Sequence, residues 1–281
     1  MRSALAAVWL GGSLAGGAPA AAPLRIVTTF YPLYIATRNI TDQVPGVETI
    51  NLTRPAAGCL HDYQLTPADL VTLQTADILV ANGAGLEAFL DKALRQAPRA
   101  RVIQASVGIP LLNGNPHVWV SPALAIRQVA NIAAGLTRYD PPRAGLYRAN
   151  AARYTAQLQA LRDIMHRALQ DLPSRDIITF HEAFPYFAQE FGLRVAAVIE
   201  REPGSAPDAR TLAATIETVK RLRAPAVFVE PQYPVRAAAT IARETGAQIA
   251  MLDPCVTGPL TPDAYLRSME KNLAELRRVL K

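Results

Sequence analysis

The chain has 281 residues, half of them hydrophobic and 19% charged, so it can bury a core and is not an intrinsically disordered chain. Its formal charge of +6 permits an anionic partner, but the Lys and Arg residues are scattered along helical stretches with no basic run interleaved with aromatics. That pattern reads as a solvated surface and argues against nucleic-acid binding.

Met1-Arg2 precedes a short apolar run, Ala4 to Leu14, and small residues ending in Ala18-Pro19-Ala20. One positive charge, a short apolar core and an A-x-A site form a secretory signal, with cleavage expected after Ala20 or Ala22. The run is shorter than the roughly 20 apolar residues of a spanning helix. No Cys lies near the expected cleavage site, so a lipid anchor is not expected, and the mature chain reads as exported and unanchored. The two cysteines, Cys59 and Cys255, can pair in an oxidising compartment as a simple structural disulfide.

In chain order, Leu24–Thr29 reads as a strand, Tyr31–Ile40 as a helix and Glu48–Leu52 as a second strand. Thr66-Pro67-Ala68-Asp69 starts a helix, with Thr66 as N-cap, Pro67 at the first helical position and Asp69 in the first turn. Ile78–Val80 is a buried strand ended by the turn Asn82-Gly83, Leu86–Leu94 returns to helical spacing, and Arg101–Gln104 is strand-like. Ser121-Pro122 starts a helix running to about Thr137.

Between Pro142 and Pro173 no Gly or Pro interrupts the chain after Gly145. Tyr154, Leu158, Leu161, Met165 and Leu169 recur at spacings of three and four, which predicts one long amphipathic helix acting as a stiff connector. Beyond it the alternation resumes: strands at Ile177–Phe180, Val195–Ile199, Ala226–Val229 and Gln248–Leu252; helices at Ala183–Phe191, Ala209–Leu222, Val235–Thr245 and Pro262–Leu280. Strands separated by helices of this length predict an α/β fold of βαβ units with parallel sheets covered on both faces. The expected organisation is a signal at 1–22, an N-terminal α/β domain at 23–141, a linker helix at 142–172 and a C-terminal α/β domain at 173–281.

Of the four histidines, three fall at expected strand-to-helix junctions: His61 before the capped helix at Thr66, His117 in Asn115-Pro-His-Val-Trp119, and His181 directly after the strand Ile177–Phe180. In open parallel sheets the carboxyl-end junctions face the crevice where ligands bind. Two carboxylates, Asp253 and Glu230, end later strands and could complete a cation site. A His₃Asp set suits tetrahedral Zn²⁺; imidazole also suits Ni²⁺, Cu²⁺ or Fe²⁺, whereas Mn²⁺ sites tend to carry more carboxylate. Glu230 could instead orient an imidazole from behind. His166, inside the long helix beside Met165, reads as a surface or packing residue.

These motifs resemble, in order and over essentially the whole mature chain, the zinc- and manganese-binding solute receptors of bacterial ABC importers. The likeness rests on Thr28-Thr-Phe-Tyr-Pro-Leu33; His61-Asp-Tyr-Gln-Leu-Thr-Pro67 followed by Asn82-Gly-Ala-Gly-Leu-Glu87; Asn115-Pro-His-Val-Trp119; His181-Glu-Ala-Phe-Pro-Tyr186; and Phe228-Val-Glu-Pro231 with Leu252-Asp-Pro254.

The resemblance implies two Rossmann-like α/β domains joined by a long backbone helix, with the metal site in the cleft between them. It implies His61, His117, His181 and Asp253 as ligands, a permease and its ATPase as partners, a monomer in the periplasm, and no catalysis. Since manganese-type receptors usually place a carboxylate at the third position, His181 tilts the expectation from Mn²⁺ towards Zn²⁺. The His- and acid-rich loop of many zinc receptors has no counterpart in Ser106–Asn115. Cys59 and Cys255 each lie two residues from an implied ligand, which suggests a disulfide across the cleft mouth, with thiolate ligation as the alternative. The rival class is a metallohydrolase with Glu230 or Glu182 as base, but no H-E-x-x-H occurs. An adhesin of the same fold is the third reading.

Overall fold

The computed structural model describes residues 22–54, 60, 63–94, 99–199 and 208–281. His61, Cys59 and the signal segment up to residue 21 lie outside them, and with them the expected first ligand and the Cys59–Cys255 pairing.

The N-terminal half forms β1 (Leu24–Thr28), α1 (Tyr31–Ile40), β2 (Val47–Asn51), α2 (Pro67–Gln74), β3 (Ile78–Ala81), α3 (Leu90–Leu94), β4 (Arg101–Gln104) and α4 (Pro122–Tyr139). Its four strands are all parallel, in the order β2-β1-β3-β4. The 26-residue helix α5 (Ala144–Leu169) follows, entered through a 3₁₀ turn at Pro141–Arg143. The C-terminal half repeats the plan with β5 (Asp176–Thr179), α6 (Pro185–Phe191), β6 (Arg194–Val198), α7 (Ala209–Leu222), β7 (Ala226–Val229), α8 (Arg236–Thr245), β8 (Gln248–Met251) and α9 (Ala264–Val279). Its strand order, β6-β5-β7-β8, has the same pattern and is again all parallel.

Central strands read as unbroken apolar runs because helices cover both faces. β3 (Ile-Leu-Val-Ala) and β7 (Ala-Val-Phe-Val) are buried at every position. Helix starts follow their cap chemistry. Thr66 accepts from the Asp69 N–H while the Asp69 carboxylate accepts from the Thr66 N–H, a reciprocal capping box. Ser121 accepts from the Leu124 N–H and so caps α4.

One expected helix is shorter than its apolar spacing suggests. Leu86–Leu94 turns helical only at Leu90, because the Glu87 carboxylate folds back to accept the N–H groups of Asn82 and Gly83. Ala84 and Gly85 adopt positive φ to allow that turn.

The halves share one apolar core. A continuous cluster runs from Ile26, Phe30 and Leu33 through Tyr147, Tyr154, Leu158 and Met165 of α5 to Phe187, Phe228 and Leu276. The apolar stripe of α5 therefore packs on α1 and α4 at one side and on α6 and α9 at the other. Among the described residues no helix is long and apolar enough to cross a membrane.

Candidate metal centre

In each sheet the strand order reverses direction between its two central strands, β1 and β3 in the first and β5 and β7 in the second. A crevice opens outside the carboxyl ends at such a switch point. His181 stands two residues past the end of β5 and Glu230 directly follows β7, so the pair spans the switch point of the second sheet. His181 Nδ1 lies 2.6 Å from Glu230 Oε1, and its backbone N–H reaches the same oxygen at 3.3 Å. Both side chains are almost wholly buried, at 2% and 1% exposure. The second oxygen, Oε2, accepts from Gln232 Nε2 at 2.7 Å.

His117 comes from the first sheet, on the long connection between β4 and α4. Asn115 Oδ1 accepts from both the backbone N–H and Nδ1 of His117, each at 2.9 Å. The Asn115 amide is oriented in turn by donating Nδ2–H to the Glu182 carbonyl at 2.8 Å. Further back, Asn82 at the end of β3 donates to the Pro116 carbonyl, while its own Oδ1 accepts from Ser106 and Gln128. Tyr186 of α6 donates to the Asn115 carbonyl at 2.6 Å and accepts from the Leu112 N–H. A chain of hydrogen bonds thus fixes the His117 loop against both halves.

These partners dictate the tautomers. A carboxylate and an amide oxygen only accept, so both imidazoles carry their hydrogen on Nδ1 and present an Nε2 lone pair. The two Nε2 atoms face each other at 3.3 Å. Two lone pairs at that separation repel, and a metal ion between them, or a hydrogen on one Nε2, makes the arrangement favourable. Two ligands at roughly 2.0–2.1 Å from a tetrahedral Zn²⁺ place their nitrogens about 3.3–3.4 Å apart, in agreement with the observed distance. Aromatic rings flank both imidazoles. Trp119 packs beside His117 at 5.2 Å, and Tyr233, stacked on Phe180, stands edge-on to His181 at 5.7 Å.

Asp253 lies beyond the end of β8, and its described contacts run towards α9. Its backbone N–H and carbonyl are both clamped by the Asn272 amide at 2.7 Å. Its Oδ1 accepts from the Cys255 N–H at 2.7 Å. Burial pushes its carboxyl above the usual range, while the Cys255 N–H, the Ser268 hydroxyl and the Lys271 charge pull the other way. Among the described residues no third His, Cys, Asp or Glu joins the two imidazoles in a group able to hold a metal ion.

Cys255 is buried, sits at φ +60°, and its Sγ is 3.7 Å from the Asp253 carbonyl oxygen. Burial pushes its thiol pKa well up, which disfavours the thiolate that ligation needs. His166 packs on Phe191 and lies 3.7 Å from Glu190, away from the two imidazoles, as its place in the long helix suggested.

Sequence reasoning singled out His117, His181 and Glu230 but gave no role to Asn115, Asn82 or Tyr233. Asn115 stands two residues before His117, a spacing that lets an Asn side chain reach backbone and ring together. Asn82 and Tyr233 are distant in sequence from what they touch and left no local signal.

Comparison with known proteins places this geometry in context. The family profile described as "ZnuA: Zinc-uptake complex component A periplasmic" matches residues 26–279. The high-affinity zinc uptake system protein ZnuA of Bacillus subtilis is 30% identical over 251 residues, covering 82% of this chain and 78% of that protein. The iron-binding protein YfeA of Yersinia pestis is 32% identical over 237 residues, covering 80% and 75%. Among solved structures, the solute-binding protein FpvC of P. aeruginosa in complex with Ni²⁺ superposes with a TM-score of 0.83 at 32% identity, covering 92% of this chain and 97% of that one.

Proposed function

The chain belongs to the family of periplasmic zinc-uptake components, and on that premise we propose that it captures Zn²⁺ outside the cytoplasmic membrane and delivers it to the permease of an ABC importer. The family is one of substrate-binding receptors, and the ion is cargo, bound and released unchanged. The observation that carries the reading is the pair of buried Nε2 atoms of His117 and His181, 3.3 Å apart, each imidazole fixed from behind by an acceptor on Nδ1. His61 and Asp253 complete the proposed ligand set, giving three neutral imidazoles and one carboxylate, a preference for zinc over the more carboxylate-rich Mn²⁺ sites.

Of the two facing imidazoles one comes from each half of the molecule, so a bound ion ties the two sheets' crevices together. It favours the arrangement in which both imidazoles reach it, in proportion to its differential affinity for that arrangement. Protonation of the ligands competes with the metal, so affinity falls in acid. We assign the mature receptor to residues 23–281, with α/β domains at 23–141 and 173–281 and the helical linker at 142–172. It works as an unanchored monomer in this reading.

A second reading keeps the receptor role and changes the cargo to iron, nickel or manganese, as the names of one relative and two solved structures suggest. Elemental analysis of the purified protein, followed by competitive titration with Zn²⁺ and Mn²⁺, separates them. We expect zinc to be retained and preferred, and His181→Ala to lose it. A clear Mn²⁺ preference, or undiminished binding by the variant, overturns the zinc assignment.

A further inference from the structure

A cavity of about 360 Å³ beside Asp253 is lined by Asp253, Ser268, Lys271, Asn272 and Glu275 together with the Thr257–Pro259 turn. Ser268, Lys271, Asn272 and Glu275 occur at spacings of three and four along α9, so they form one polar face turned towards the loop that carries Asp253. Asn272 grips that loop by both its backbone N–H and its carbonyl, and the Cys255 N–H holds Oδ1. Asp253 therefore lines the same cavity as the Lys271 ammonium and the Ser268 hydroxyl on α9. The Lys271 charge favours the ionised carboxylate, against the burial that pushes its pKa up.

We propose that Lys271 is an affinity-setting positioning residue: from the α9 wall of this cavity its charge competes with the captured dication for the Asp253 carboxylate. The inference deepens the receptor reading, since it rests on Asp253 serving as the fourth ligand. Its use to a delivery protein is release, because a ligand with a standing alternative partner lets the ion go at lower cost. An ammonium that shares a partly solvated cavity with a carboxylate is a modest competitor, enough for a shift of about three- to tenfold in dissociation constant.

The test is a double-mutant cycle read by competitive titration with a chromophoric zinc chelator. Lys271→Gln is expected to tighten zinc binding about three- to tenfold, and Lys271→Arg, which keeps the charge, to stay near the parent value. In an Asp253→Asn background the Lys271→Gln effect should vanish; an equal effect there reveals a general field and overturns the proposal, as does an unchanged affinity in Lys271→Gln alone. In the metal-free protein the Cys255 amide resonance, which reports the bond to Asp253 Oδ1, should move on Lys271→Gln. An unmoved resonance counts against the proposal in the same way. Asp253→Asn on its own distinguishes the premises: if it leaves affinity unchanged the fourth-ligand reading fails, whereas a loss there with no effect of Lys271→Gln defeats this inference alone.

Discussion

Each imidazole at the centre has one nitrogen spoken for. Because Glu230 and Asn115 accept from the Nδ1 groups, the Nε2 lone pairs are committed to the point between them, and the rings need not reorient when an ion arrives. Glu230→Gln should weaken zinc binding by about tenfold or more. Its amide cannot accept from both His181 and Gln232 as the carboxylate does. Isothermal titration of the folded variant checks this, and unchanged affinity would remove Glu230 from the site.

A second buried carboxylate behaves differently. Glu87 accepts from Thr29, Asn82 and Gly83, yet burial dominates and raises its pKa above the ordinary 4.5. A raised folded-state value means its contribution is fully present below the unfolded pKa and is lost as pH rises through the folded one. Denaturant titrations of parent and Glu87→Gln across that window should therefore show the parent losing ground to the variant as pH rises above the ordinary 4.5. A pH-independent difference would contradict the shift.

At the scale of single elements, two helix glycines look alike in sequence and are opposite in structure. A Cβ on Gly135 in α4 would lie 2.6–2.9 Å from three side-chain carbons of Ile103 on β4, so the helix approaches the sheet at that point only because no side chain intervenes. Gly145, in the first turn of α5, has nothing within 4 Å of the same added atom. Thermal unfolding should show Gly135→Ala destabilised by about 1–3 kcal/mol through overpacking. Gly145→Ala should gain about 0.5 kcal/mol from reduced chain entropy. Equal effects would mean that the α4–β4 approach is looser than described. The capping box at Thr66 belongs to the same scale, since its residues, spacing and bonds are all local, and it formed as read.

For the whole molecule, the decisive question is how two similar sheets are held in one register. Glu190 of α6 answers part of it. Its Oε2 accepts from the Ser121 hydroxyl and the Ala123 N–H at the start of α4, and its Oε1 accepts from Arg162 of α5. A single buried carboxylate from the second half thus sits on the positive end of a helix in the first and is neutralised by the connector between them. Glu190→Ala strands buried donors and an arginine, and should cost about 3–5 kcal/mol by chemical denaturation. A loss below about 1 kcal/mol would assign the link to surface pairing instead.

The other fastening is aromatic. The Trp119 indole donates to the Pro254 carbonyl, Tyr265 donates to the Trp119 carbonyl, and Tyr31 reaches the Pro259 carbonyl. The loop of His117 and the loop of Asp253 are therefore joined through one tryptophan.

Much of the fold was legible in the sequence because its causes are local. Apolar runs of four to six residues, caps at Thr66 and Ser121, and the uninterrupted stripe of α5 fixed the parallel α/β plan and most element limits to within a residue or two. Where local spacing misled, at Leu86–Phe89, a side chain bonding backwards outweighed helical periodicity. The chemistry of the candidate ligands was likewise visible, since His117 and His181 stand at strand ends where parallel sheets place ligands.

What the sequence could not state is which groups meet. That His117 and His181 converge at 3.3 Å, that Asn115 and Glu230 set their tautomers, and that Asp253 is held by Asn272 and shares a cavity with Lys271 all depend on pairings across 2 to 64 residues. Such contacts are decided by the packing of two sheets on one helix. Residue type sets what a side chain can do, and only the tertiary structure decides what it faces.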